Sequence, residues 1–98
     1  MSQIILTSRA AEDLARLLHF YRGQSESYAL KARDALRSGL DRLSQFPAIG
    51  RVCLEYPEFR EWLIPFGSSG FVILYRLTVN ECLIIAVKHQ REAGYQLN

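Results

Sequence analysis

Little in this chain announces a chemistry. Its 98 residues hold two cysteines, Cys53 and Cys82, whose separation fits no metal site, and two cannot build a disulfide framework. Reduced, packed thiols of a cytoplasmic protein are the expectation. A Gly-rich phosphate loop, an HExxH helix and a CxxC pair are all missing, so neither metal nor cofactor is expected. The two histidines, His19 and His89, lie far apart in the sequence. His19 falls on a predicted helix, as a surface or boundary residue. No apolar run approaches the roughly 18 to 20 residues of a membrane span. The N-terminal stretch Met1 to Leu6 has no basic region ahead of it, which speaks against a signal peptide. Charge is also scarce in one sense: twelve basic residues against ten acidic ones leave a net of +2. A chain that grips nucleic acid through phosphates concentrates a basic excess on one face, so direct nucleic-acid binding is not expected.

What the chain does have is apolar material, 49% of its residues, enough for one core over residues 1–98. Gln3 to Thr7 reads as a short strand. Thr7 or Ser8 can cap a following helix, with Glu12 and Asp13 at its positive end. Leu14, Leu17, Leu18 and Tyr21 supply the buried stripe. Glu12 and Arg16 are spaced for an ion pair on the wet side, and Gly23 closes the helix. A second helix begins near Ser25 or Ser27 and buries Ala29, Ala32, Leu36, Leu40 and Leu43. Gly39 within it predicts a close approach to the first helix, and the short connection makes an antiparallel hairpin.

The stretch Phe46-Pro47-Ala48-Ile49-Gly50-Arg51 ends that helix. Pro47 disfavours helical geometry at Phe46, Phe46 is predicted to pack into the core, and Gly50 allows a sharp turn with positive φ. Arg51 leaves the turn with its guanidinium near the backbone corner. Three strands follow: Phe59 to Ile64, Phe71 to Leu77 and Cys82 to Lys88, with Pro65 to Gly70 as a loop. The last two are apolar on both faces and belong in the middle of an antiparallel sheet. One face is covered by the hairpin. Val72, Leu74, Leu83 and Ile85 require cover on the other, by curling of the sheet or by another chain. The class is therefore α+β, in the order β-α-α-β-β-β.

Two further features attract a functional reading. Lys88, His89 and Arg91 cluster with Tyr95 after the last strand, and can form a polar patch with Arg51 and Arg60. Trp62 is core filler or an exposed anchor.

Taken together, the Pro47-x-x-Gly50-Arg51 turn, Arg60, the central Phe71 to Tyr75 strand and the closing His89-x-Arg91 resemble the RelE/ParE superfamily of type II toxin–antitoxin toxins. The resemblance covers nearly the whole chain. It implies a toxin paired with a cognate ParD-like antitoxin, a DNA-binding dimer whose flexible segment wraps the toxin, with Tyr28, Trp62, Ile64 and Phe66 as anchors. It also implies one of two activities. RelE-like members cut mRNA on the ribosome, and here Arg51, Arg60, His89 and Tyr95 would be the acting groups. ParE-like members poison DNA gyrase without catalysis. In the nuclease branch an arginine commonly stands three residues before the central tyrosine; here that position is Val72, before Tyr75. Valine can neither stabilise a phosphorane nor orient a nucleophile. The ParE branch is favoured, with Arg51, Arg60, Lys88, His89, Arg91 and Tyr95 as target contacts. A member that has lost toxicity and only binds its antitoxin is a third possibility.

Overall fold

A computed structural model describes residues 1–95 and 97. The elements run β1 (Gln3–Leu6), α1 (Ser8–Gln24), α2 (Glu26–Gln45), β2 (Arg51–Val52), β3 (Arg60–Phe66), β4 (Ser69–Leu77) and β5 (Glu81–His89). The five strands form one sheet in the order β1-β5-β4-β3-β2, antiparallel except that β1 runs parallel to β5. The α+β class and the order of elements match the sequence reading. β4 and β5 sit inside the sheet as their apolar runs require, each longer than predicted. The segment Pro65 to Gly70 is a tight turn at Gly67-Ser68 rather than a loop. Gly67 adopts φ 61° there, a conformation that costs glycine little.

Both helices start on side-chain caps. Thr7 accepts from the Ala10 N–H at 3.1 Å while its hydroxyl donates to the Ile84 carbonyl at 2.8 Å, fixing α1 to the sheet. Ser25 alone joins the helices. Its N–H donates to the Tyr21 carbonyl at 3.1 Å, closing α1, and its hydroxyl accepts from the Tyr28 N–H at 2.9 Å, opening α2. Gly23 therefore does not end α1, which runs one residue further. Asp13 is not an exposed helix-start charge either. It is buried, and accepts from the Val87 N–H at 2.9 Å. The reason is topological. β1 pairs with β5 only as far as Ile84, so beyond it an N–H on that edge needs another acceptor. Arg9 and Arg16 flank the carboxylate at 3.4 and 3.9 Å, and Arg16 pairs more closely with Glu92, at 3.1 Å, rather than with Glu12.

The core between hairpin and sheet contains Leu17, Tyr21, Leu36, Leu43, Ile64, Phe71, Ile73, Tyr75 and Ile84. Gly39 is indeed a close approach, but to β3. A Cβ there would lie 2.6 Å from Ile64 Cγ1. Phe46 is 53% exposed, contrary to expectation. α2 stops at Gln45, and the non-helical φ of −129° at Phe46 turns the chain away, leaving its ring under the Arg42 guanidinium at 5.4 Å.

The second face of the sheet has its own small core of Cys53, Leu74 and Ala86, with Tyr56, Phe59, Ile85, Tyr95 and Leu97 packed against it. The chain thus supplies much of the cover itself, from the connection between β2 and β3 and from its C-terminal segment. A bulge between Leu74 and Tyr75 pairs Leu74 with Ala86 and Tyr75 with Ile84, so Ile85 is the extra residue.

Candidate functional site

The Pro47 to Arg51 turn is latched from beneath. Tyr75, fully buried, donates its hydroxyl to the Pro47 carbonyl at 2.7 Å and accepts from the Gly50 N–H at 2.9 Å. Gly50 does not adopt positive φ; among the described residues only Gly67 and Gly94 do. It is glycine because a Cβ would meet the Tyr75 hydroxyl at 2.6 Å and the Glu61 carbonyl at 2.8 Å. Arg60 closes the latch by donating to the Gly50 carbonyl at 2.8 Å. It is a part of the turn, not a free guanidinium. Arg51 emerges from the turn, 84% exposed, with Glu61 at 3.8 Å.

Alternation along β3 and β5 splits the predicted patch between two sides of the sheet. On the second face, one row of the register carries Arg51, Glu61, Leu74 and Ala86, and the next carries Leu63, Val72 and Lys88. Tyr95 lies over these rows. Its hydroxyl donates to Glu61 at 2.5 Å, and the Lys88 ammonium sits 4.8 Å from its ring centre. Burial, then the neighbouring Glu61 carboxylate, push the Tyr95 phenol far above its ordinary 10.0. Beside it, a groove of about 540 Å³ runs past Ile49, Arg51, Trp62, Leu63, Val72 and Lys88. Val72 is part of the floor of this groove.

His89 and Arg91 belong to the helix side. They line a second groove, about 610 Å³, together with Arg16, Phe20, Tyr28 and Phe66. Its wall is an aromatic cluster. Tyr21 meets Tyr28, Phe66 and Phe71 edge-on, at 5.1 to 5.9 Å between ring centres. The His89 Nδ1 accepts from the Arg91 N–H at 3.1 Å, and Arg91 makes no ion pair among the described residues.

Of the four anchors foreseen for a partner, Tyr28 and Phe66 line this groove. Trp62 is partly buried and packs against the core between hairpin and sheet, touching only the edge of the other groove, and Ile64 is 4% exposed beneath Gly39 and cannot be reached. Sequence reasoning missed Glu61, Glu92, Arg16 and Phe20. Strict alternation through Arg60-Glu61-Trp62 could have placed Glu61 on the face of Arg51. Nothing local to Arg16 or Glu92 points to their meeting, which is set by how α1 lies across β5. Among the described residues no cluster of His, Cys, Asp and Glu could hold a metal ion, and no helix is long and apolar enough to cross a membrane.

Comparison with known proteins agrees with this architecture. Residues 4–94 match the family model of the ParE toxin of the type II toxin–antitoxin system parDE. Toxin RelE1 of Caulobacter vibrioides is 32% identical over 89 residues, covering 91% of this chain and 94% of its own length. Toxin RelE3 of the same organism is 29% identical over 92 residues, covering 94% and 98%. A chain in the structure of a chromosomal ParDE TA system from P. aeruginosa shares the fold, with a TM-score of 0.75 at 24% identity, over 91% of this chain and 96% of that one.

Proposed function

The chain belongs to the ParE toxin family of type II toxin–antitoxin systems, and from that premise we propose that it disables DNA gyrase in the cytoplasm without a catalytic site of its own. A type II toxin has an antitoxin partner. The target is the finer question, and the names of its relatives divide between ParE and RelE. The chemistry of the side chains therefore has to argue it.

One observation carries the reading: the groups that would perform RNA cleavage do not converge. Strand transfer through a 2′-hydroxyl needs a base, an acid and a cation around one phosphate. Arg60 is held in the turn by the Nη1 bond to the Gly50 carbonyl. His89 lines the helix-side groove, whereas Arg51 and Tyr95 stand on the opposite face. Tyr95, bonded to Glu61 and hard to deprotonate, is a poor general base. Val72 supplies no charge at the centre of that face.

A noncatalytic toxin acts by grip, and the second face is built for it. Arg51 and Lys88 flank a groove floored by Leu63 and Val72 and lined also by Glu61 and Gln90, with Tyr95 beside it. These are the proposed gyrase contacts; His89 and Arg91, expected from sequence to join them, line the helix-side groove instead. The aromatic groove around Phe20, Tyr28 and Phe66 is the proposed seat of the antitoxin. The test uses purified gyrase, plasmid and ATP. The expected result is lost supercoiling with accumulation of linear, gyrase-bound DNA, abolished by adding the antitoxin. Unchanged supercoiling at stoichiometric excess of folded toxin would overturn the proposal.

A further inference from the structure

Glu92 has no part in the function proposed above, yet three separate elements meet on it. Its carboxylate holds Arg16 of α1, with Oε2 accepting from Nη1 at 3.1 Å and Oε1 from Nη2 at 3.4 Å. Oε1 also accepts from the His89 N–H at 2.8 Å, and the Glu92 carbonyl accepts from the Lys88 ammonium at 3.1 Å. Beyond it, Gly94 turns with φ 57°, and Tyr95 crosses onto the second face, bonded to Glu61 and packed into the cluster that covers Cys53. Arg16 at the other end of this chain of contacts lines the aromatic groove. The two grooves, on opposite sides of the sheet, are thus joined at Glu92, where the His89 N–H and Lys88 also bind; the link to the aromatic groove is the Arg16–Glu92 ion pair. Its side chains are 51% and 39% exposed, so it is a weak hold.

The groove itself fits an acidic occupant. Arg16, His89 and Arg91 line it, Glu92 is the one carboxylate among its lining residues, and Arg91 has no ion-pair partner among the described residues. The geometry points to Glu92 as a positioning residue that couples the groove to the second face. An acidic side chain of the antitoxin that takes Arg16 leaves Glu92 without its cation and loosens residues 92–95 from the face above Cys53. Antitoxin binding at one surface then alters the target-contact surface on the other without covering it. This rests on the groove being the antitoxin seat. The physical link through Glu92 does not.

The two native thiols report on it. Cys53 lies under Tyr95, whereas Cys82 lies in the core between hairpin and sheet, and both are buried. Maleimide labelling, resolved by mass spectrometry, reads each separately. Glu92→Gln keeps an acceptor for the His89 N–H but loses the charge. It is expected to label Cys53 about fivefold faster, equivalent to about 1 kcal/mol, the upper end for an exposed pair. Arg16→Ala should do the same. The double variant should go no faster than either single one, as for two residues acting through one contact. With the cognate antitoxin bound, Cys53 should label faster than in the free toxin, and Arg16→Ala should abolish that difference. Wild-type labelling of Cys53 in both single variants, strictly additive effects, or Cys82 rising in step with Cys53 would each overturn the coupling. So would an antitoxin complex in which Cys53 labels more slowly than in the free toxin. Failure of the groove assignment shows separately, as unchanged antitoxin affinity in Tyr28→Ala with Phe66→Ala.

Discussion

Tyr75→Phe removes one oxygen atom from a fully buried ring and isolates the role of the latch. The hydroxyl serves the Pro47 carbonyl at 2.7 Å and the Gly50 N–H at 2.9 Å. Phenylalanine fills the same space, so no cavity term enters. What remains is the cost of leaving two backbone groups without partners, about 1 to 3 kcal/mol for a buried group. Pro47 is only partly buried and water can reach its carbonyl, so the Gly50 N–H dominates and the loss should be about 2 kcal/mol. For a domain of this size that is a fall in Tm of roughly 8 to 16 °C. Thermal melting by circular dichroism, with urea unfolding to check that m is unchanged, measures it. Gly50→Ala attacks the same latch from the other side, since its Cβ must displace the Tyr75 hydroxyl or the Glu61 carbonyl. It should cost at least as much. A Tm within about 2 °C of wild type for Tyr75→Phe would refute the reasoning, because a buried N–H cannot lose its acceptor so cheaply.

Other outcomes follow from the same geometry. Arg51→Ala should lower toxicity while shifting stability by no more than about 0.5 kcal/mol, as an exposed substitution does. Arg60→Ala should instead destabilise by about 1 to 2 kcal/mol through the lost bond to the Gly50 carbonyl. Paired growth-arrest and melting assays separate the two. Gly39→Ala gains about 1 kcal/mol of helix propensity but presses on Ile64, and overpacking costs about 1 to 3 kcal/mol. A net loss relieved by Ile64→Val in a double-mutant cycle is the expected pattern. The bonds from the His89 N–H and from Arg16, with the Arg16 charge, outweigh burial and hold the Glu92 carboxyl below its ordinary 4.5. Its contribution is therefore complete above pH 4.5 and fades as pH falls, and Glu92→Gln should flatten the acid limb of a pH–stability curve. Tyr95 is shifted up, so its contribution is complete below pH 10.0 and is lost as pH climbs beyond it. Tyr95→Phe should remove that alkaline dependence, read by melting across the range.

Much of the fold was legible because it rests on period. The 3.6-residue stripe of Leu17, Tyr21, Ala29, Ala32, Leu36 and Leu43 is buried as read, and the two-sided apolar runs of β4 and β5 occupy the inside of the sheet. What failed depends on who meets whom across the fold. Gly39 was correctly seen as a close approach, but the partner is set by how α2 lies on β3. Asp13 looked like a helix-start charge and serves an N–H on β5, because β1 is too short to do so. The site fared similarly. Lys88 and Tyr95 meet and Arg51 shares their face beside Glu61, whereas His89, by alternation along β5, and Arg91 beyond it line the other side. Arg60 was a cation in sequence and a backbone clamp in space.

The central claim is that this toxin grips without hydrolysing. Its most direct test is a programmed 70S translation reaction with purified toxin at stoichiometric excess, with the 5′ ends of the message mapped by primer extension. Intact message, indistinguishable from the toxin-free reaction, is what the scattered positions of Arg51, Arg60, His89 and Tyr95 predict. New ends spaced in register with the reading frame, lost in His89→Ala or Tyr95→Phe, would contradict it.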